Sequence, residues 1–394
     1  MLRMIAIVAS ILVAPAPLVA ADGPATVIQA GYLLDKPGAA PRGPATIVVR
    51  SGRIESIANG FQAPEAGATV IDLRDKFVLP GLIDSHVHLD SDKAGVEAQL
   101  LAVTASVPAT AYEAAANAKK TLLAGFTTVR NLGDTDGVTL ALRDAIVSGK
   151  MIGPRIIDAG MSISATAGHM DPTLGYSDAF WEALDVHQNL CDGVESCRRA
   201  VRMQIRRGVD VIKIATTGGV NSRIGAGLGR QMFDDEARAL VETAHLYGKK
   251  IAVHAHGADG VALALRAGAD SIEHGTLMGE EEVKLFKKTG AYYVPTLSTI
   301  NGYIERLKNN PTAYSPEVRA KIEWRISITG KALRLAHSKG VKIAFGTDAG
   351  VSMHGRNADE FELMVKHGMK PSEAIAAATE CRRPTRPLRS GGNN

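Results

Sequence analysis

Residues 79–90 read LPGLIDSHVHLD, and the fold is decided here. Pro80 and Gly81 punctuate the chain, and Leu82-Ile83 then open a short apolar strand. His86 and His88 stand at its end, two residues apart, so both imidazoles leave the same face. Working outward, the same arrangement returns along the chain. Candidate strands fall at 82–89, 127–132, 155–160, 211–216, 250–255, 271–275, 292–297 and 342–347. Helical stretches lie between most of them: 111–123, 234–247, 258–267, 280–289, 316–338 and 358–366. The second of these opens with acids, as a helix N-terminus prefers.

Eight strands alternating with helices predict an α/β chain folded as a (β/α)8 TIM barrel. A doubly wound sheet is the weaker alternative, because no Gly-rich phosphate turn follows the first strand. Before Pro80 the signals are those of short strands with Gly/Pro turns, at 26–28, 46–49, 54–57, 70–73 and 76–79. They predict a small N-terminal β domain, a sheet or sandwich, over 22–80 and a barrel over 81–380.

The barrel strands carry polar residues where chemistry is expected, at the C-terminal end. The first ends in His86 and His88, the fourth holds Lys213, the fifth His254 and His256, the sixth His274 and the eighth Asp348. Such residues at the ends of apolar strands need something to satisfy them. His86 and His88 can ligate one metal. A protonated Lys213 cannot bind a metal, but addition of CO2 to its amine gives a carbamate able to bridge two cations; the bland reading is a packed stem with a snorkelling head. His254 and His274 could hold a second ion, and Asp348 could touch one metal and serve as general base, then general acid. Imidazole and carboxylate ligands suit zinc, and cobalt or manganese could occupy the same donors.

With these residues in hand, a resemblance is visible. HVH (86–88), the strand-four Lys213, VHAHG (253–257), SIEHGT (271–276) and FGTDAG (345–350) resemble the amidohydrolase superfamily with a binuclear site. The likeness covers most of residues 70–380. Within that superfamily, TGGVNSRIGAGLGRQMF (217–233), IAVHAHGADG (251–260), GAYYVPTLSTINGY (290–303) and GTDAGVSMHGRNADEF (346–361) resemble bacterial prolidase-like Xaa-amino-acid dipeptidases and ochratoxin-hydrolysing amidohydrolases. The resemblance implies that His86, His88 and Asp348 bind the more buried metal. Carboxylated Lys213 then bridges, His254 and His274 bind the second ion, and His256 sits beside the substrate. It further implies attack of a metal-bridging hydroxide on the amide carbonyl of a dipeptide or N-acyl amino acid, with Asp348 passing the proton to the leaving nitrogen.

His169, in ATAGHMDP after the third strand, could hydrogen-bond the substrate, although relatives carry a GGHG string there. Arg223 or Arg230 could clamp a substrate α-carboxylate, or be solvated loop residues. Tyr293 and Tyr303 could line the pocket or simply pack, and His354 is a candidate for its rim. His187, His245, His337 and His367 read as surface residues without partners.

The chain has 394 residues, 45% hydrophobic and 22% charged, an ordinary globular composition. Residues 1–21 combine Arg3, an apolar run over 4–13 and a small-residue Val19-Ala20-Ala21 end. This reads as an export signal rather than a membrane anchor. The net charge of +4 comes from the ends, since without Arg3 and the four arginines of 381–394 the body is −1. The body therefore lacks the basic face that nucleic acid demands. Cys191 and Cys197, in CDGVESC, would in an exported protein either close a small disulfide loop or remain two free thiols. The tail 381–394 is rich in Arg, Pro and Gly, with no apolar period. It stands where the family supplies strands that complete the small domain, so that domain is expected to lack them. Partners are expected to be a small-molecule or dipeptide substrate and a second copy of the chain in a homo-oligomer. The alternatives are cyclic-amide hydrolysis, deamination, or an inactive truncated member. Lys213 argues against one-metal deaminases, many of which lack that residue.

Overall fold

The computed structural model describes residues 23–183, 189–222 and 227–380. The chain divides into two compact units at Pro80/Gly81. Residues 1–22, which include the signal read at 1–21, and the atypical tail 381–394 lie outside the described residues, as does His187.

The first unit is one four-stranded sheet rather than a sandwich. It is built from β1 (Thr26–Leu33), β2 (Ala45–Arg50), β3 (Arg53–Asn59) and β4 (Thr69–Val78), in the order β3-β2-β1-β4. The runs at 70–73 and 76–79 join into the single strand β4, which pairs parallel to β1 across a register shift between Ala30 and Tyr32. Ala30, Leu33, Ala45 and Ile47 form its small core. Val70, Ile71 and Phe77 on β4 remain exposed.

The second unit carries β5 (Leu82–Val87), β6 (Phe126–Asn131), β7 (Arg155–Asp158), β8 (Val211–Ala215), β9 (Lys250–Ala255), β10 (Ser271–His274) and β11 (Tyr292–Val294). They form two parallel sheets, β5-β6-β7 and β8-β9-β10-β11. Ile163 joins them on one side, donating to Lys213 O (2.8 Å) and accepting from Ala215 N (3.0 Å). On the other side Tyr293 N donates to Lys342 O (2.8 Å), and Ser85 N donates to Phe345 O (2.9 Å). Residues 342–347, expected as a regular strand, make only isolated bridges. Part of the reason is that the Thr347 amide is taken by the Asp84 carboxylate (3.0 Å) instead of a neighbouring strand.

Helices among the described residues are α1 (Gly95–Thr104), α2 (Val107–Leu123), α3 (Val138–Val147), α4 (Asp178–Ala183), α5 (Val194–Arg206), α6 (Asp234–Leu246) and α7 (Ala258–Ala267). They continue as α8 (Glu280–Thr289), α9 (Thr299–Asn309), α10 (Pro316–Ser327), α11 (Lys331–Ser338), α12 (Asp359–Lys366) and α13 (Pro371–Ala377). The expected single helix over 316–338 is two. Gly330 breaks it at a φ of +80°, and a Cβ there would meet the His367 ring at 2.1 Å. No described helix is long and apolar enough to cross a membrane.

The core follows from composition. The central strands of the second unit are covered on both faces, β8 and β10 being buried at every position. Helices then cover them, as where Phe126, Phe345 and Phe361 stack on one another. Cys191 and Cys197 are joined in a disulfide at the start of α5.

Candidate metal centre and active-site cavity

The C-terminal ends of β5, β8, β9 and β10 and the segment 342–349 converge on one cavity of about 110 Å³. It is lined by His86, His88, His169, Lys213, His254, His256, His274, Tyr303 and Asp348, which the sequence had singled out from separate strings, and also by Arg325. A second cavity of about 510 Å³ opens beside it between α1 and α10, sharing His88, Asn221 and Val351 with the first.

Distances within the cluster are short and even. His86 Nε2 and His88 Nε2 each lie 3.4 Å from Asp348 Oδ1, and Lys213 Nζ lies 3.3 Å from His86 Nε2. Tetrahedral coordination at the usual zinc–nitrogen and zinc–oxygen distances spaces neighbouring ligand atoms by about 3.3–3.4 Å. His86, His88 and Asp348 therefore fit one divalent cation, and Lys213 would reach it only through the oxygens of an added carbamate. His86, His274 and Asp348 form one group with donor atoms within 4.8 Å of one another, and His254, His256 and His274 form another. His256 belongs to the second group as closely as His254 does.

The rings are aimed by their other nitrogens. His86 Nδ1 bonds Glu273 Oε2 (3.0 Å), His256 Nδ1 bonds Thr276 Oγ1 (2.8 Å) and His274 Nδ1 bonds Thr296 Oγ1 (2.7 Å). Each contact leaves Nε2 for the cavity, which is how outer groups orient metal-binding imidazoles. Glu273 is itself fixed by Arg130 Nη2 (2.8 Å) and Ser271 Oγ (2.6 Å). Burial alone would push its carboxyl up, but Arg130 and His86 hold it down at about 2. His274, Thr296 and Asp348 all have left-handed backbones, with φ of +72°, +49° and +57°. Strain of this kind at non-glycine residues gathers where side chains are held for function.

Burial pushes every imidazole of the cluster down, His169 to about 3, so all are neutral and able to ligate at neutral pH. Burial also lowers the Lys213 ammonium to about 8, against the upward pull of Glu273 and Asp348. About a tenth of that amine is consequently uncharged at pH 7.

His169 faces the cavity with Nδ1 bonded to Ser222 Oγ (2.6 Å) and its ring stacked on His254 at 4.0 Å. Gly219 allows this approach, because a Cβ there would meet the His169 ring at 2.1 Å. Several expected residues lie elsewhere. Arg230 donates to Met232 O (2.5 Å) and pairs with Asp234 (3.2 Å), so its charge is already answered. Arg223 lies outside the described residues. His354 is buried but turns from the cavity to the carbonyls of His88 (3.0 Å) and Ser91 (3.3 Å), bracing the loop after β5. Tyr293 Oη caps the His274 carbonyl (3.0 Å) instead of lining the pocket. His245, His337 and His367 are not solitary: they meet Asp270 (2.8 Å), Glu373 (3.0 Å) and Arg334 (2.6 Å).

Four residues of the site region escaped the sequence reading. Asp84 is buried and accepts from Thr347 Oγ1 (2.6 Å), Asn357 Nδ2 (2.7 Å) and His86 N (3.1 Å), tying β5 to the segment bearing Asp348. Glu273 and Arg130 fix His86. Asp84 and Glu273 had a signal, an acid within a strand buried on both faces, which must be paired. Arg325 had one too. It shares the buried side of α10 with Val318 and Ile322, a position that helical periodicity assigns to an apolar residue.

Comparison with known proteins gives a consistent result. The amidohydrolase family model matches residues 77–381. The ochratoxinase of Aspergillus niger is 32% identical over 386 residues, covering 92% of this chain and 77% of that protein. Among solved structures, a Xaa-Pro dipeptidase with methionine bound in its active site superposes with a TM-score of 0.85 at 41% identity, covering 90% of this chain and 86% of that one. A prolidase complexed with N-methylphosphonate-L-proline gives 0.79 at 30% identity, covering 90% and 85%.

Proposed function

This chain belongs to the amidohydrolase family, and from that premise we propose that it hydrolyses the amide bond of dipeptides or N-acyl amino acids at a binuclear metal site. The observation that carries the reading is the 3.4 Å spacing of both His86 Nε2 and His88 Nε2 from Asp348 Oδ1 inside a buried cavity, with the Lys213 amine 3.3 Å from His86 Nε2. The names of the similar dipeptidase and prolidase support the substrate class. The same reading takes residues 342–349 as the eighth stave of a (β/α)8 barrel, which the hydrogen bonds from Tyr293 to Lys342 and from Ser85 to Phe345 support.

His86, His88 and Asp348 would hold one ion and His254 and His274 the other, with Lys213 between them as a carbamate. That modification adds CO2 to the neutral amine and releases one proton, and burial makes the neutral amine available. When bound, divalent ions supply Lewis acidity to the scissile carbonyl and to the attacking water. Asp348 takes the proton of that water on its carboxylate and returns it to the leaving nitrogen. Glu273 keeps the His86 ring in one orientation throughout, and His169 and His256 face the substrate. The neighbouring 510 Å³ cavity gives a bulky substrate group room beside His88. Export through residues 1–21 belongs to the same proposal and is supported by the Cys191–Cys197 disulfide, a bond kept in oxidising compartments.

Amine release from a panel of Xaa–Yaa dipeptides and N-acyl amino acids, with and without a chelator, tests the reading. Chelator-sensitive cleavage is expected. No cleavage by soluble protein carrying two zinc ions per chain would overturn the substrate class.

A further inference from the structure

Arg325 is 3% exposed, yet its side chain reaches the wall of the active-site cavity. Among the described residues it makes one hydrogen bond, from Nη1 to Thr329 Oγ1 (3.2 Å), and no carboxylate lies within ion-pair distance. The acids nearest in effect are committed elsewhere. Glu360 accepts from Leu297 N (3.0 Å) and Ser298 N (2.6 Å), and Asp348 lies against His86 and His88. A guanidinium offers five N–H donors in a rigid fork and stays charged. Burying that charge without an anion is costly, and a fold retains it where a ligand brings the missing charge.

Among the described residues, the other cations nearby are already engaged. Lys321, one turn earlier on α10, donates to the carbonyls of Gly219 (3.0 Å) and Ser222 and so holds the loop beside His169. Arg230 is paired with Asp234.

We infer that Arg325 anchors the free α-carboxylate of the substrate's C-terminal residue and restricts cleavage to the amide bond next to that carboxylate. The planar fork matches a carboxylate with two parallel hydrogen bonds. The inference rests on the amide-hydrolase reading and adds the group by which that substrate is recognised. It also places the carboxylate clamp on a helix, on the buried side that Arg325 shares with Val318 and Ile322.

The experiment uses the zinc-loaded full chain and three proteins: wild type, Arg325→Met and Arg325→Lys. Amine release is measured on Ala-Met and N-acetyl-L-methionine and on their C-terminal amides. Binding of N-acetyl-L-methionine and its amide is measured by calorimetry. Hydrogen bonds to charged groups lead us to expect wild type to favour the acid over the amide by about 50-fold or more in kcat/KM, mainly through KM. In Arg325→Met that ratio falls to within about 3-fold of unity, while Arg325→Lys keeps part of it as a point charge without the fork. Equal treatment of acid and amide by wild type, or discrimination surviving in Arg325→Met, overturns the inference. Should wild type hydrolyse nothing, the amide-hydrolase reading fails. The binding arm still decides Arg325: acid bound by wild type and lost in Arg325→Met supports it, and equal binding of acid and amide refutes it. If the methionine variant does not fold, the lysine variant carries the comparison, and full acid preference there at wild-type KM refutes the fork.

Discussion

Glu273 divides its two oxygens between Arg130 and Ser271 on one side and His86 on the other. Replacing it with glutamine keeps the shape but removes the charge that orients the ring. Glu273→Gln is therefore expected to weaken zinc binding by about 10–100-fold, read as metal loss to a competing chelator. Unchanged affinity would mean packing alone fixes the ring. Lys213→Met preserves the stem and deletes the amine. Its expected outcome is one metal fewer per chain and at least about a 100-fold fall in kcat/KM; full metal content would remove Lys213 from the ligand set. Most of these residues are legible in sequence because a His, Lys or Asp in an apolar run is conspicuous. Glu273 is less so, since its partner His86 lies 187 positions away along the chain.

At the scale of elements, the start of α5 is tied by the bond between Cys191 and Cys197, six positions apart. A loop this short is worth about 2 kcal/mol in the chain-entropy account. A Cys191→Ala/Cys197→Ala variant should lose about that much stability in urea unfolding and keep its activity. A loss near zero would show that the reduced chain already holds the loop. Strand β4 is an edge with Val70, Ile71 and Phe77 exposed. Such an edge invites pairing with another chain. Ile71→Lys is expected to lower aggregation in light scattering without changing kcat/KM; unchanged aggregation would acquit the edge. The break between α10 and α11 was not legible from periodicity, because Gly330 is needed for a contact with His367 that exists only once the helices pack.

For the molecule as a whole, two sets of buried groups oppose each other in pH dependence. Burial depresses the cavity imidazoles, so their contribution to stability is present above about pH 6.5 and is lost as pH falls toward their folded values. Burial raises Glu360 to about 7, Asp134 to about 7, and Asp84 and Asp158 to about 6. Their contribution is present below the ordinary carboxyl range and is lost as pH rises through 6–7. Glu360→Gln removes one opposing member. Relative to wild type it should gain about 2 kcal/mol between about pH 5 and pH 8 in urea unfolding of metal-free protein. A constant difference across that range would mean that Glu360 is ionised throughout.

The sequence by itself determined the alternation of strand and helix, the family and the six strand-end ligand candidates, because each depends on local pattern: period, chain order and a polar residue in an apolar run. Tertiary structure alone decided that Asp84 locks β5 to the Asp348 segment, that His354 turns away from the cavity, and that Arg325 enters it. Those outcomes depend on which buried charge finds a partner across hundreds of residues, and a partner's distance in space is not encoded in local spacing.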